Sequence, residues 1–350
     1  MPPLVSILIV NHNGEAFLED CLRSVSEVVE PENEVVVVDN ASNDASRQIL
    51  ARFANIKIAL SDRNLGFAGG NNLGLRHCSG DLILLLNSDT IVTKEFLSIL
   101  TAYLDRHPCA GVVQGKMVLP RAGGVLDVCG SFLTPLGVPY HRGYFKPDGP
   151  AYQASYPVFC GKGACLLLRR QAIEAAGGFL FDDDFFCYYE ESDFCFRVWL
   201  GGMEVHFVAG PPIQHLMGAT AGKMGLSCFA LRLYLKNQTF TLASNLSAVS
   251  VLKIFPLYFA VLMGSLGAHA LRRQWGQAGA HVSALMVPLT EWHRIAARRR
   301  LIGRMRKVSD EVLWPTIGRW PGWRYFWMTF QGRLSQYKDP EIKEALHESG

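Results

Sequence analysis

The sequence predicts an α/β fold in which a mostly parallel sheet is flanked by helices and followed by a helical, amphipathic C-terminal extension. In the first hundred residues, short runs of Val, Ile and Leu alternate with segments whose apolar residues recur at helical spacing. This alternation is typical of a parallel sheet covered on both faces. After about residue 226 the composition changes to long apolar and basic stretches. We therefore divide the chain into a sheet-containing domain over residues 1–225 and a membrane-associating helical region over residues 226–350.

Four apolar runs are predicted strands, and each is followed by a predicted helix. The strands cover residues 4–10, 35–38, 56–60 and 82–86, and the helices cover 15–25, 43–53, 68–77 and 94–107. Unbroken apolar runs indicate strands that are buried on both faces. Residues 120–157 are rich in Gly, Pro and aromatic residues without periodicity, which predicts a long loop over a surface or cleft. A strand over 163–168, helices over 171–176 and 191–200, and a strand over 205–208 complete the domain.

Composition and charge narrow the functional classes. The 350 residues carry a net charge of +3, and hydrophobic residues make up 49% of the chain. These values indicate a globular chain, and so small a net charge gives no reason to expect a nucleic-acid partner. The nine cysteines form no C-x-x-C pair, so we expect buried free thiols in a reducing compartment. The N-terminus shows no basic, apolar leader, so we expect the mature chain to begin in the cytoplasm.

Polar side chains follow each of the four predicted strands. Because the carboxyl ends of parallel strands meet at one edge of a sheet, these polar side chains predict a ligand crevice at that edge. Asp89 follows a run of five apolar residues, where a carboxylate is costly unless it is paired, and Mg²⁺ or Mn²⁺ is a natural partner. A glycine-rich helix entry over residues 66–72 offers backbone to a phosphate or sugar. The polar strand-end residues are Asn11, Asn13, Asp39, Asn40, Asn64, Asn87 and Asp89.

Four motifs in order resemble family 2 inverting glycosyltransferases with the GT-A fold. They are VSILIVN (5–11), VVDNAS (37–42), NLGFAGGNN (64–72) and LLNSD (85–89), and the third is most similar to a rhamnosyltransferase-type branch. The resemblance covers about residues 4–220. It implies that Asp39 contacts the nucleoside of a dTDP- or UDP-sugar, and that Asn87 and Asp89 hold metal and diphosphate, with Asp89 the main ligand. The donor-binding set it implies is Asn11, Asn13, Asp39, Asn40, Asn64, Gly66, Gly69, Asn71, Asn87 and Asp89.

The second half of the domain supplies a candidate base in the run FFCYYEESD (185–193). By itself this acidic run is equally consistent with simple capping of a helix N-terminus. The family pattern implies that the second acid of a pair is the general base, which gives Glu191, with Glu190 left open because this chain has Glu where relatives have Asp. The resemblance also implies a metal-site role for His215. The residues expected on the acceptor side are Gly161, Gly163, Asp193 and Arg197.

The C-terminal region combines apolar and basic segments. Residues 252–271 are nearly all apolar, and nine Lys or Arg residues against Glu291 alone lie between residues 272 and 307. This pattern favours an anionic membrane surface, at the cytoplasmic face of the cell membrane, with peripheral or weakly integral attachment. The alternative is a solvated helix packed on the catalytic domain. The apolar stretch is marginal in length for a membrane span.

Together these features predict an inverting transfer of a sugar, with rhamnose or a similar deoxyhexose favoured, to a lipid-linked or cell-surface polysaccharide acceptor. One carboxylate removes the acceptor proton, and a metal stabilises the leaving diphosphate. Two alternatives remain open. A non-catalytic membrane scaffold on the same fold is suggested by the variant residues Asn87 and Glu191. A sugar nucleotidyltransferase is disfavoured, because residues 11–14 lack a glycine-rich, basic signature.

Overall fold

The structure is a computed structural model that describes residues 4–216, 227–330 and 333–342. Ten of its strands form one mixed sheet, and the other two form a small hairpin. The boundary predicted at residue 225 lies outside the described residues. In chain order the strands are β1 (Val5–Asn11), β2 (Glu34–Asn40), β3 (Ile56–Ser61), β4 (Leu82–Asn87), β5 (Thr90–Ile91), β6 (Ala110–Leu119), β7 (Val125–Leu126), β8 (Ser131–Leu133), β9 (Pro139–His141), β10 (Tyr156–Pro157), β11 (Cys165–Arg169) and β12 (Glu204–His215).

The order of the strands confirms a block of parallel strands within a mixed sheet. The main path runs β10-β12-β6-β11-β4-β1-β2-β3, while β5 pairs with β12 and β7 pairs with β6. Strands β3, β2, β1 and β4 are mutually parallel. Strand β11 is antiparallel to both of its neighbours, β4 and β6, and β6 is parallel to β12. The carboxyl ends of β1, β2 and β4 therefore lie side by side at one edge.

Helices cover both faces of the sheet and continue beyond it. They are α1 (Leu18–Val28), α2 (Ser46–Leu50), α3 (Gly66–Leu75), α4 (Phe96–Arg106), α5 (Arg170–Ala175), α6 (Glu190–Leu200), α7 (Cys228–Asn245), α8 (Ala248–Leu271), α9 (Trp275–Thr290), α10 (Trp292–Met305), α11 (Asp310–Ile317) and α12 (Trp323–Phe330). The predicted combination of an α/β sheet domain and a helical C-terminal region is confirmed.

Alternate residues of each central strand face opposite layers. Ile9 and Val37 pack in the layer that contains α1 and α4, whereas Leu8 and Val38 pack in the layer that contains α3 and α6. Both layers are apolar because each strand has large side chains on both faces. The second layer also includes residues of α7, α8 and α10, so the C-terminal helices share a core with the sheet.

Residues 120–157 differ from the surface loop that their composition predicts. They contain four short strands, and most of residues 126–140 are buried. Aromatic rings organise the segment: Phe132 stacks with Tyr140 and Tyr156 at centroid distances of 6.0 and 6.3 Å. Stacking of this kind leaves no period of two or 3.6 residues in the sequence, so the apolar pattern gave no sign of it.

Strand β6 was not predicted, and β12 is longer than predicted. Gln114, Gly115 and Lys116 interrupt the apolar pattern of β6, yet all three are buried. The Lys116 ammonium is paired with Asp148 at 3.2 Å, which makes its burial tolerable. Strand β12 continues seven residues past Val208, and its end pairs with β5 so that His215 lies opposite Thr90.

The basic cluster on α10 faces the protein more than its sequence suggests. Arg298 is buried and paired with Asp182 and Asp193, and Arg294 is paired with Asp182 and Glu291. Arg299 donates to the backbone carbonyl of Ala243. Arg294 and Arg298 tie α10 to the sheet-containing part of the chain, and Arg299 ties it to α7. The expectation that they face lipid is wrong, and the alternative of a helix packed on the catalytic domain describes them better.

Candidate active site

The candidate site lies at the edge where β1, β2 and β4 end. In the strand register Asn11 is opposite Asp39, and Val10 is opposite Asn87. Asn11 is fully buried; its side-chain amide donates to Ser42 Oγ at 3.2 Å, and its Oδ1 has no hydrogen-bond partner among the described residues. Ser42 Oγ also accepts the backbone N–H of Asn13 at 3.0 Å. Ser42 therefore positions both asparagines.

Asp39 keeps one carboxylate oxygen unpaired in the interior. Its Oδ2 accepts a hydrogen bond from Arg47 Nε at 2.7 Å, whereas Oδ1 is buried without a partner in the described chain. A buried acceptor without a partner costs about 1–3 kcal/mol. An N–H or O–H donor of a ligand would remove that cost, and this fits the nucleoside contact expected for Asp39.

Asn40 and Asn64 serve the protein backbone, which does not fit the direct donor contact expected for them. The Asn40 amide donates to Asn64 Oδ1 and to the Gly66 carbonyl, at 3.1 and 3.0 Å, and its Oδ1 accepts from Leu65 N at 2.8 Å. Asn64 Oδ1 also accepts from Gly66 N at 2.8 Å. Both side chains therefore shape the turn that leads into α3.

The glycine-rich segment approaches the protein itself, not open space for a phosphate. Gly66 has φ +72°, and a Cβ there would lie 2.2 Å from the carbonyl oxygen of Phe186. A Cβ on Gly69 would lie 2.9 Å from Leu65 Cβ. Asn71 is buried, and its amide donates to the Phe67 carbonyl at 2.8 Å. The expected donor contacts of these residues do not fit this packing; the segment instead holds the loop that contains Phe186.

Asp89 and His215 meet because β5 pairs with the end of β12. Asp89 Oδ1 lies 3.4 Å from His215 Nε2, and Asp89 also accepts the backbone N–H of Leu216 on its carbonyl at 2.8 Å. The Asp89 side chain is partly exposed, whereas His215 is buried. Asn87 ends β4 directly before them. Two of the three residues assigned to the metal from the sequence, Asp89 and His215, are thus brought together.

Asp127 was missed by sequence reasoning, and it orients His215. Its Oδ2 lies 2.7 Å from His215 Nδ1, and its Oδ1 lies 2.6 Å from Lys162 Nζ. Burial raises the pKa of Asp127, but the charge of Lys162 and the hydrogen bond from His215 outweigh burial and lower it to about 2. An ionised Asp127 accepts a hydrogen bond from Nδ1–H of His215 and leaves Nε2 facing Asp89. No motif marks Asp127, because it lies in the segment without periodicity.

The donor atoms at this edge fit a divalent cation that is completed by a ligand. Among residues 4–216, 227–330 and 333–342, no three His, Cys, Asp or Glu side chains converge as a closed metal site. Mg²⁺ usually takes one or two carboxylates from the protein and phosphate oxygens from its substrate. The Asp89 carboxylate and His215 Nε2, with the amide Asn87 two residues before Asp89 in sequence, match that arrangement in ligand type. The carboxylate that orients the histidine is also typical of metal sites.

The loop before α6 has a strained backbone. Phe186, Tyr188 and Tyr189 have φ values of 61°, 70° and 75°, which non-glycine residues rarely adopt and which cost about 1–3 kcal/mol each. Asn237 of α7 holds this loop. Its side-chain Nδ2 contacts the carbonyl oxygens of Phe185, Cys187 and Tyr188 at 3.0, 3.2 and 2.7 Å. Sequence reasoning missed Asn237, since it is distant from every motif.

The loop delivers two acidic side chains at the start of α6. Glu190 is buried and Glu191 is partly exposed. Burial raises the pKa of Glu190 well above its usual value, and the charge of Glu191 adds to the effect. Burial also raises the pKa of Glu191, although backbone N–H groups and Lys162 limit the rise. A carboxyl with a raised pKa is suited to accept a proton near neutral pH.

Asp193 and Arg197 form part of a buried ion-pair network, which contradicts an acceptor contact. Both side chains are shielded from solvent, and they pair with each other at 2.8 Å. Arg197 also donates to the backbone carbonyls of Ala176 and Leu180, at 2.7 and 2.6 Å. Arg298 of α10 lies 3.1 Å from Asp193. Because no polar atom of the pair faces a cleft, these residues position α6.

The two glycines assigned to the acceptor side differ in their surroundings. A Cβ on Gly161 would lie 2.5 Å from Leu166 Cδ2 and 2.9 Å from Gln114 Cβ, so Gly161 is a packing position and its acceptor role is not supported. Gly163 lies between the Phe67 ring and Glu191, whose Cβ would be 3.6 Å from an added Cβ. Gly163 therefore adjoins the candidate base.

Comparison with known families agrees with this geometry. Residues 6–175 match the model of glycosyl transferase family 2. The low-salt glycan biosynthesis hexosyltransferase of Haloferax volcanii is 30% identical over 198 residues, which cover 55% of this chain and 61% of that protein. An N-acetylglucosaminyl-diphospho-decaprenol L-rhamnosyltransferase of Mycobacterium tuberculosis is 25% identical over 246 residues, covering 64% of this chain and 79% of that protein. This chain therefore spans about three fifths of the length of the Haloferax volcanii protein.

Solved structures share the fold. A structure of GalNAc-T7 with UDP, GalNAc and Mn²⁺ superposes with a TM-score of 0.64 at 15% identity, covering 97% of this chain and 58% of that one. Staphylococcus aureus TarS 1–349 in complex with UDP-GlcNAc superposes with a TM-score of 0.55 at 18% identity, covering 89% of this chain and 92% of that one. At these identities the comparison establishes a GT-A-like fold and no more.

Proposed function

We propose that this chain, which carries a glycosyltransferase family 2 domain over residues 6–175, is a hexosyltransferase that moves a sugar from a nucleoside diphosphate to a glycan acceptor. One observation carries the proposal. Lys162 pairs with Asp127, which holds His215 beside Asp89, and the charge of Lys162 also acts on Glu191, while the buried Asp39 oxygen that lacks a partner among the described residues lies on β2, two strands from β4. Nucleoside, diphosphate and acceptor hydroxyl each need one of these groups.

The donor end binds through Asp39 and Asn11 in this proposal. Asp39 Oδ1 and Asn11 Oδ1 are both buried acceptors without partners in the described chain, and they lie on neighbouring strands in register. A uracil or thymine N–H, or a ribose hydroxyl, supplies the donor that these oxygens lack. Arg47 fixes the second oxygen of Asp39, so the carboxylate presents Oδ1 in one orientation.

The diphosphate end uses the residues around Asp89. Asp89, His215 and Asn87 would hold Mg²⁺ or Mn²⁺ together with the diphosphate. A bound divalent cation offsets the negative charge that develops on the departing diphosphate. Asp127 keeps the proton on His215 Nδ1, so Nε2 stays directed at the metal side, 3.4 Å from Asp89 Oδ1.

Glu191 is the base in this proposal, and Glu190 supports it. Glu191 is the more exposed of the two side chains, and it adjoins Gly163 and Lys162. It removes the proton of the acceptor hydroxyl while that oxygen attacks the anomeric carbon from the side opposite the diphosphate. A single displacement of this kind inverts the anomeric configuration. The scissile bond has a carboxylate on the acceptor side only, unlike the pair that a glycoside hydrolase uses.

The sugar and the acceptor are proposed more specifically from the relatives. Rhamnose or a similar deoxyhexose, carried by dTDP or UDP, is favoured because two similar proteins are named as rhamnosyl transferases, one of them a dTDP-rhamnosyl transferase of Shigella flexneri that is 23% identical over 221 residues. One of these relatives is named for a diphospho-decaprenol substrate. We therefore propose a lipid-linked glycan as the acceptor.

Release of nucleoside diphosphate from a panel of nucleotide sugars, with Mg²⁺ or Mn²⁺, tests the proposal. We expect release with at least one deoxyhexose donor, loss of release on adding EDTA, and a product of inverted configuration by NMR. Glu191→Gln should lower the rate about 10²- to 10⁴-fold, while the matched change Glu174→Gln on an exposed helix position should leave it unchanged.

Three outcomes would contradict parts of the proposal. Release that survives both Asp89→Ala and Glu191→Gln would overturn the site assignment. Release of pyrophosphate when the protein is given a nucleoside triphosphate and a sugar 1-phosphate would identify a nucleotidyltransferase. If no donor is turned over and none raises the melting temperature, the non-catalytic scaffold becomes the better interpretation, since a ligand at 100 times its Kd should stabilise the fold by about 2.7 kcal/mol.

A further inference from the structure

An apolar surface on α8 and α9 lacks a protein partner in the described chain. Leu252 and Leu271 of α8 are 76% and 88% exposed, and Leu289 of α9 is 68% exposed. Large apolar side chains with this exposure form patches that mark interaction sites. We name this surface the α8–α9 face. Its exposed apolar residues are Val249, Leu252, Leu257, Met263, Leu271, Val282, Met286 and Leu289.

The opposite side of α8 is fixed to the protein. Ile254, Tyr258 and Leu262 are spaced four residues apart on one helical side, and all three are buried. Tyr258 Oη lies 2.9 Å from Thr239 Oγ1 of α7. The helix is apolar all round, and its packed side within the described residues carries Ile254, Tyr258 and Leu262, so the α8–α9 face is the opposite, exposed side.

Exposed tryptophans lie near the two ends of α9 and on and beside α12. Trp275 precedes the exposed part of α9 and Trp292 follows it, with 68% and 55% exposure. Trp320, Trp323 and Trp327 on and beside α12 are exposed as well. An exposed indole ring is unfavourable in water but suits the boundary between lipid headgroups and hydrocarbon. Five of the seven tryptophans of the chain are placed in this way.

The charge around the face is positive. Residues 227–330 contain fourteen Lys or Arg residues and three acids. Several basic side chains are used in internal ion pairs, and Lys253 and Arg273 are exposed near Leu252 and Leu271 in sequence. Exposed cations beside apolar side chains and tryptophans match an anionic bilayer, which offers hydrocarbon and negative headgroups together.

We infer that the α8–α9 face binds an anionic lipid bilayer with both helices lying in the plane of the membrane. With 24 residues, α8 is about 36 Å long and is long enough to cross a bilayer. A crossing, however, would pull Ile254, Tyr258 and Leu262 away from the sheet-containing core that they share. Its neighbour α9 has 16 residues, about 24 Å, which is too short to cross beside it. Lying flat buries the exposed side and keeps the packed side.

The face is continuous with the loop that carries the candidate base. Phe229 at the start of α7 is 62% exposed, and its ring lies 6.2 Å from that of Phe186. A Cβ on Gly276 would lie 2.5 Å from Cys228 Sγ, so the start of α9 touches the start of α7. A membrane-anchored acceptor would therefore meet the base loop at the edge of the α8–α9 face. This last consequence rests on the proposed function, whereas lipid binding does not.

Co-sedimentation of the full chain with vesicles tests the inference without any sugar substrate. We expect binding to vesicles of phosphatidylcholine mixed with phosphatidylglycerol, weaker binding to phosphatidylcholine alone, and a blue shift of tryptophan fluorescence on binding. The double change Leu252→Ser and Leu289→Ser should lower partitioning at least about tenfold, because both side chains enter the hydrocarbon. Leu60→Ser is the matched control, since Leu60 is 60% exposed on β3, away from the C-terminal helices.

Three results would overturn the inference. Equal partitioning of the Leu252→Ser, Leu289→Ser variant and the wild type would exclude the face as the lipid contact. A stable dimer of the wild type that becomes monomeric in that variant would show that a second copy covers the face. Resistance of membrane-bound protein to alkaline carbonate extraction would show a crossing, not an in-plane helix. Circular dichroism spectra and melting curves test whether the variants are folded, which we expect because the changed positions are exposed.

Discussion

Removing the Asn237 side chain should damage turnover more than donor binding. Asn237 Nδ2 contacts three carbonyl oxygens of the loop that precedes Glu190, and three residues of that loop have positive φ. In Asn237→Ala these carbonyls lose their shared donor inside the protein. Leaving the left-handed region then lowers the free energy of the strained residues, and the carboxylates that follow them in sequence move with the loop.

The expected magnitudes follow from these contacts. A hydrogen bond of this type contributes about 0.5–1.5 kcal/mol net, so the loss of the clamp should lower the free energy of unfolding by about 2–3 kcal/mol. A displacement of about 1 Å at a catalytic group costs about 10²-fold in rate. We therefore expect kcat to fall about 10²-fold. The KM for the donor should stay near the wild-type value, because Asp39 lies on β2 and Asp89 lies in the turn between β4 and β5, which the change does not touch.

Initial rates against donor concentration, together with urea unfolding, measure the two effects separately. Lys236→Ala is the control on the same helix, since Lys236 Nζ donates only to the Asp184 carbonyl, outside the positive-φ stretch. The reasoning would be refuted if Asn237→Ala lost the expected stability but kept its kcat. A rise in donor KM with unchanged kcat would refute it as well.

Three further changes test other parts of the site. Glu190→Gln should raise the melting temperature by about 2 °C at neutral pH. Because the pKa of Glu190 is raised in the folded protein above its usual value of 4.5, the wild type loses stability as the pH increases above 4.5, and the glutamine does not. The difference between variant and wild type should disappear at pH 4, and a pH-independent difference would contradict the assignment. Asp127→Asn should weaken Mn²⁺ binding about 10- to 100-fold by titration calorimetry, and unchanged affinity would show that Asp127 does not orient His215. Arg298→Met removes one partner of buried Asp193 and should cost about 3 kcal/mol in chemical unfolding; a loss below about 1 kcal/mol would mean that Arg197 alone suffices for Asp193.

The sequence predicted the strand-end groups because they depend on local order along the chain. Asn11, Asp39, Asn87 and Asp89 each follow an apolar run, and parallel pairing brings such positions to one edge regardless of detail. A position directly after an apolar strand does not show whether the residue contacts a ligand or builds a turn. Asn40 and Asn64 follow strands in the same way, yet their amides are used to build the entry of α3.

Residues that reach the site from distant parts of the chain are not marked by any motif in the sequence. Asp127 contacts His215 across 88 positions of sequence, and Asn237 contacts Tyr188 across 49. A periodic pattern of apolar residues identifies neither of them. Asp127 lies in an irregular segment, and α7, which contains Asn237, is buried on several sides. Such pairings are set by tertiary packing, which a single sequence does not encode as a pattern.

The candidate base lies outside the segment that matches the family model, and this gives the C-terminal helices a place in the site. The match ends at residue 175, whereas Glu190 and Glu191 begin α6. Their loop is held by Asn237 of α7, and α6 is held through Asp193 by Asn245 of α7 at 3.0 Å and by Arg298 of α10. The helices that expose the α8–α9 face are packed on α7. The same helical unit therefore contacts the base loop on one side and offers an apolar, basic surface on the other, so the proposed membrane-bound acceptor and the proposed base would be held by the same helices.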